Sequence, residues 1–268
     1  MTSPDESLPS ASDVEKLGPW GAVAATQPAI PLAEPVIAPT QPSLASQIGW
    51  GLASSVLFAA YLGWQWGWIY AAAGILGVVV HELGHLAAIN SLGCGPGRIH
   101  IIPFFGGAAS MRRAPDTEFK GVLIALAGPV IGLVAAAPFY LLSAIRKEPV
   151  WLDGVLFIGG LSLLNLAPAP PLDGSKALGP ALAWIHPNVE RAAMILLGGL
   201  GVFWAVTHGQ LIIGIFVGIG VAQAVMGRAP RPPALRLTTG QWFISIGLWL
   251  VALILCAGVT LSGLRQNA

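Results

Sequence analysis

Trp66-Gly-Trp-Ile-Tyr-Ala-Ala-Ala-Gly-Ile-Leu-Gly-Val-Val-Val-His81-Glu-Leu-Gly-His85 is an apolar run that closes on two histidines and a glutamate. Extended to Leu92, it is long enough to cross a bilayer as one helix. Ionisable side chains are costly at membrane depth and mark function where they occur. On a helix, His81 and His85 lie about 40° apart around the axis and one turn apart along it. That spacing lets both imidazoles grip one zinc ion and points Glu82 at the water bound there. The economical reading is a zinc hydrolase whose active site lies inside the membrane.

The composition agrees. Of 268 residues, 55% are hydrophobic and 9% are charged, against about 25% charged in soluble domains. Long uncharged stretches recur, which predicts a polytopic helical protein with the lipid bilayer as its solvent. A formal net charge of +1 gives no electrostatic footprint for nucleic acid, and no such partner is expected. Cys94 and Cys256 read as free thiols. Asp5, Glu6, Asp13 and Glu15 stand where a cleavable signal peptide needs a positive leader. Residues 1–46, rich in Pro, Ala and Ser, read as a disordered tail.

Seven apolar stretches follow, near residues 48–63, 66–92, 119–145, 150–167, 189–207, 211–226 and 242–264. The fifth and sixth are short and could form one broken hairpin, so the predicted fold is an all-α polytopic membrane protein of about six to seven transmembrane helices. If all seven cross, ten of the 13 Lys and Arg residues share a side with the N-terminal tail and the even-numbered loops. The positive-inside rule places that side, and the N-terminus, in the cytosol. Trp64, Trp66, Trp68 and Tyr70 then read as an aromatic belt at the opposite interface. From Trp68 to His81 the helix rises about 20 Å, which sets His81 roughly 10 Å inside the cytosolic boundary.

A catalytic zinc site takes three protein ligands, and the helix supplies two. The candidate for the third is Asp173, in Asn165-Leu-Ala-Pro-Ala-Pro-Pro-Leu-Asp173-Gly174. This stretch ends the fourth span as the histidines end the second, so both reach the same side. Pro168, Pro170 and Pro171 break the helix, and irregular backbone at this depth is tolerated where it lines a cavity. Gly174 permits a sharp turn after the carboxylate.

His81-Glu-Leu-Gly-His85 followed by Asn165-x-x-Pro-x-Pro-x-Leu-Asp173-Gly174 resembles the site-2 proteases, the intramembrane zinc metalloproteases, over about residues 66–180. The resemblance implies a three-helix metalloprotease core within 47–180, with additional transmembrane helices over 181–268. It implies that His81, His85 and Asp173 hold Zn2+, that Glu82 is the general base, and that Asn165 helps position the substrate carbonyl. The implied activity is an endopeptidase that cuts transmembrane segments of membrane proteins. Arg98-Ile-His-Ile-Ile-Pro-Phe-Phe-Gly-Gly107 falls where the family has a short membrane-associated β segment, whose edge an unwound substrate could join. His100 within it reads as an interfacial histidine rather than a fourth ligand. Ala127-Gly-Pro-Val-Ile-Gly132 resembles a family motif that often ends in asparagine; its glycines imply close helix packing.

Two other classes fit the same residues: a membrane zinc transporter, and a zinc-binding scaffold without turnover. No stretch is long and polar enough for a PDZ or nucleotide-sensing domain. Substrate selection is therefore expected to rest on the membrane core, the tail or a regulatory partner.

Overall fold

The computed structural model describes residues 44–102, 106–226 and 235–265, which belong to one compact unit. The tail expected at 1–46 lies outside the described residues as far as residue 43. Helix α1 (Leu44–Trp66) begins there, and α2 (Trp68–Ser91) follows after the single residue Gly67. Gly67 sits at φ +106°, a region that a side chain would strain, so only glycine separates the two helices this abruptly. Strands β1 (Arg98–Ile102) and β2 (Gly106–Ser110) then pair antiparallel, with Arg98 opposite Ser110 and Ile102 opposite Gly106.

Helix α3 (Glu118–Gly132) starts at Thr117, whose Oγ1 accepts the Lys120 backbone N–H at 3.3 Å and satisfies a donor the helix leaves open. Pro129 withholds one helical N–H. After Gly132 the chain tightens into a 3-10 turn (Leu133–Ala136) before α4 (Ala137–Arg146). Helix α5 (Leu152–Asn165) leads into the proline-rich loop, and the short helices α6 (Asp173–Ala177) and α7 (Gly179–Ile185) follow. The last three are α8 (Pro187–Thr207), α9 (Leu211–Met226) and α10 (Thr239–Arg265).

Four stretches are long and apolar enough to cross a membrane, the mark of a polytopic membrane protein: Trp68–Ser91, Glu118–Arg146, Pro187–Thr207 and Thr239–Leu264. The expected six to seven transmembrane helices are thus corrected to four among the described residues. Pro149–Asn165 and Ile213–Met226 are apolar but only 10–17 residues long. At about 1.5 Å per residue they fall short of roughly 30 Å of hydrocarbon. Proline at 168, 170 and 171 stops α5 early, and Gly209, at φ +70°, ends α8 before α9 can extend it.

The β expectation is corrected as well. The chain is not all-α: Arg98–Ile102 and Gly106–Ser110 form an antiparallel hairpin laid against α1 and α2. Its turn at 103–105 and the His100 side chain lie outside the described residues.

Two apolar clusters join the helices. One gathers Ile69 and Ala73 of α2 with Ala135, Ala136, Phe139 and, from α5, Leu152, Val155 and Ile158. The other joins Val122, Ala125 and Leu126 of α3 to Leu166, Ala177, Ala252 and Cys256. Lipid tails are as apolar as these side chains, so close packing rather than escape from water must hold such helices together. Small residues allow it. A Cβ on Gly159 would lie 2.6 Å from the Thr260 backbone nitrogen, and one on Gly263 would lie 2.7 Å from that of Leu156, so α5 and α10 touch backbone to backbone. Gly159→Val should push them apart, cost about 1–3 kcal/mol and lower the thermal midpoint in detergent by several degrees. Gly160→Val, whose Cβ would meet nothing within 4 Å, should move the midpoint far less.

Candidate metal centre

His81 and His85 occupy successive turns of α2, and both are buried. Their Nε2 atoms lie 3.1 Å apart. Asp173 Oδ2 lies 3.0 Å from Nε2 of His81 and 3.2 Å from Nε2 of His85. Three metal-ligating atoms, 92 residues apart at most in sequence, thus converge in a buried corner between α2, α3 and the start of α6.

Hydrogen bonding fixes what these atoms can do. His85 Nδ1 donates to the Ile124 carbonyl oxygen at 2.8 Å. In a neutral imidazole this puts the proton on Nδ1 and leaves a lone pair on Nε2. That lone pair faces a carboxylate oxygen and a second imidazole nitrogen, an arrangement of acceptors that a cation between them would satisfy. A tetrahedral ion about 2.0–2.1 Å from each donor needs donor separations of roughly 3.4 Å, and the observed 3.0–3.2 Å lies within a few tenths of that. Nitrogen and oxygen donors in this number suit zinc. The Nδ1–H···O=C contact is also the outer support that metal-bound histidines characteristically have.

Burial alone would raise the Asp173 carboxyl's pKa; with no cation bound, Nε2–H donors on the two rings outweigh it and hold the group well below the usual carboxylate range, and a bound cation would take the place of those protons. The group is therefore an anion, the form a metal requires.

Three glycines make room for this corner. A Cβ on Gly128 of α3 would lie 2.3 Å from His85 Nε2 and 2.8 Å from His81 Nε2. Gly84 brings α2 against α3, because its Cβ would stand 2.6 Å from the Ala127 carbonyl oxygen. Gly174, directly after the aspartate, leaves no space for a side chain: a Cβ would be 2.1 Å from the Leu166 carbonyl oxygen. Gly174→Ala should therefore displace Asp173 and weaken zinc binding, read by competition with a chromogenic chelator, by about 10–100-fold.

Glu82 is buried on α2 beside His81, 7% exposed. Asn165 stands at the end of α5, where its Nδ2 donates to the Leu161 carbonyl of its own helix at 3.0 Å. The structure thus brings His81, His85 and Asp173 together and turns the Asn165 amide back onto its helix. The sequence does not mark Gly128 or the Ile124 carbonyl as parts of the site. The glycine carried a faint signal in Ala127-Gly-Pro-Val-Ile-Gly132; a backbone carbonyl carries none.

Comparison with known proteins fits this chemistry. The chain is 32% identical over 158 residues, 55% of its own length and 41% of the relative's, to "Putative zinc metalloprotease sll0528" of Synechocystis sp.. It is 26% identical over 199 residues to "Putative zinc metalloprotease Rip3" of Mycobacterium tuberculosis, covering 69% of this chain and 46% of the relative. Over 98 residues it is 36% identical to "Putative zinc metalloprotease Rip2" of Mycolicibacterium smegmatis, covering 34% of this chain and 37% of the relative. The chain spans less than half the length of these curated relatives. No protein-family model and no solved structure matches it. The chain thus joins a buried His–His–Asp set able to hold a metal ion to similarity with proteins named "Putative zinc metalloprotease".

Proposed function

We propose that this chain is an intramembrane zinc endopeptidase of the site-2 protease kind, cutting transmembrane segments of membrane proteins. The observation that carries the reading is the convergence of His81, His85 and Asp173, with Glu82 beside the first histidine on a helix long enough to span a bilayer. In this reading His81, His85 and Asp173 hold the ion, 47–180 is the catalytic membrane core and 181–268 adds further helices. The end of α2 nearest the site faces the cytosol, as the basic residues that follow it, Arg98, Arg112, Arg113 and Lys120, suggest.

When bound, zinc supplies Lewis-acid polarisation of a peptide carbonyl and makes water acidic enough to attack near neutral pH. The chain's own residues do the rest. Glu82 accepts the proton of the attacking water and returns it to the leaving amide nitrogen. The His85 Nδ1–H bond to Ile124 keeps that ring from turning. An amide NH2 has two hydrogens; Asn165 gives one to Leu161 and offers the second to the scissile carbonyl, which it positions. Burial of the corner supports a substrate presented from within the membrane, and α2, α3 and the Asp173 turn enclose it.

Metal content and membrane proteome together test the reading. Purified wild type should carry about one zinc per chain and Asp173→Asn far less. Membranes from cells carrying Asp173→Asn should accumulate an uncut membrane protein that wild-type cells process. A zinc-free wild type or identical proteomes would count against the proposal.

A further inference from the structure

We propose that the last two helices, α9 and α10, clamp the proline-rich turn and thereby position Asp173, with Gly220 and Trp249 as the positioning residues. The inference rests on the metal-site reading above.

The turn between α5 and α6 is poorly equipped to hold itself. Pro168, Pro170 and Pro171 have no backbone N–H to donate, and the turn's own bonds are local ones, such as Ala169 N–H to Ala167 at 2.8 Å and Leu172 N–H to Ala169 at 2.9 Å. Distant residues supply the rest. From α10, the Trp249 indole N–H donates to the Leu166 carbonyl at 3.1 Å, the carbonyl against which Gly174 is pressed. The same ring packs on the cluster that contains Leu166 and Ala177, which flank Asp173 on either side in sequence.

From α9, Gly220 is buried against the middle of the turn. A Cβ there would stand 2.0 Å from the Pro170 carbonyl oxygen and 2.7 Å from the Pro171 nitrogen. Helix α8 backs this contact: Val221 fills the space where a Gly198 Cβ would be, with Ala169 at 3.8 Å. Asp173 is only two residues beyond Pro171. Metal sites tolerate ligand displacements of about 0.2 Å, so a turn shifted by more than that loses its carboxylate ligand while His81 and His85 stay on α2.

The test compares Trp249→Phe, which removes one N–H and keeps a ring, with Gly220→Ala. Gly199→Ala is the matched control: the same change on an adjacent helix, with nothing within 4 Å of its Cβ. Zinc affinity is measured on full-length detergent-purified protein by chelator competition, and the visible spectrum of the cobalt-loaded protein reports ligand geometry. Trp249→Phe should bind zinc about tenfold more weakly and Gly220→Ala up to about a hundredfold. Both should alter the cobalt bands, and Gly199→Ala should leave affinity and spectrum at wild-type values. Wild-type affinity and spectrum in both test variants would overturn the clamp. Should Gly220→Ala fail to fold, Trp249→Phe decides alone. Asp173→Asn separates the two levels: if it binds zinc as tightly as wild type, the metal-site reading falls and takes the clamp with it.

Discussion

Glu82→Gln should leave zinc bound and stop peptide-bond cleavage. Glutamine has nearly the same volume and reach as glutamate, so a side chain only 7% exposed can be exchanged without opening a cavity or displacing α2. The three convergent donor atoms belong to His81, His85 and Asp173, and none is touched by the change. What goes is the ability to accept a proton from the attacking water. A positioned general base contributes about 10²–10⁴ in rate, so turnover of a membrane substrate should fall by at least a hundredfold while zinc per chain stays at the wild-type value. The same variant sorts the competing classes. A transporter has no hydrolytic step and should keep its zinc flux in Glu82→Gln. A zinc-binding scaffold should show no cleaved membrane protein in wild-type cells either. Turnover within tenfold of wild type would remove Glu82 from the reaction.

The parts of this site differ in how plainly the sequence announces them, and the difference is physical. His81, Glu82 and His85 sit on one helix, where periodicity alone fixes their relative placement. Asp173 lies 88 residues beyond His85; it could be nominated because span counting brought two chain segments to one side, but the 3.0–3.2 Å approach depends on tertiary packing. Gly128 looks in sequence like any other small packing residue, and its place against two imidazoles follows from how α3 is rotated on α2. Trp249 reads as one more tryptophan in an apolar run until its indole is seen on Leu166. Hydropathy overcounts the spans because it registers that a stretch is apolar more readily than where a helix stops. Three prolines and Gly209 shorten two stretches below membrane length. The strands over Arg98–Ile102 and Gly106–Ser110 pair with each other, and their packing against α1 and α2 is a contact that no short alternating pattern specifies.

Gly128→Ala should abolish metal binding with little change to the fold, and the reason is geometric. The added methyl group would be 2.3 Å from Nε2 and 2.5 Å from Cε1 of His85, and 2.8 Å from Nε2 of His81. It would occupy the space beside the two nitrogens that face the ion, so relief requires one ring to swing away. His85 is tied to Ile124 through Nδ1, and turning that ring breaks a buried hydrogen bond, worth about 0.5–1.5 kcal/mol net and more if the donor is left unsatisfied. Helix α3 gains propensity from the change, since alanine is favoured over glycine by about 1 kcal/mol in a helix interior, so overall stability should stay close to wild type. Gly132→Ala is the control one turn further along α3. Its Cβ would stand 3.4 Å from His81 Cβ and 3.5 Å from Ser162 Oγ, ordinary contact rather than collision. Zinc content measured alongside thermal midpoint should therefore separate the pair: Gly128→Ala folded and empty, Gly132→Ala folded and loaded. Full zinc occupancy in Gly128→Ala would mean that the two imidazoles do not share an ion in the corner that this glycine leaves open.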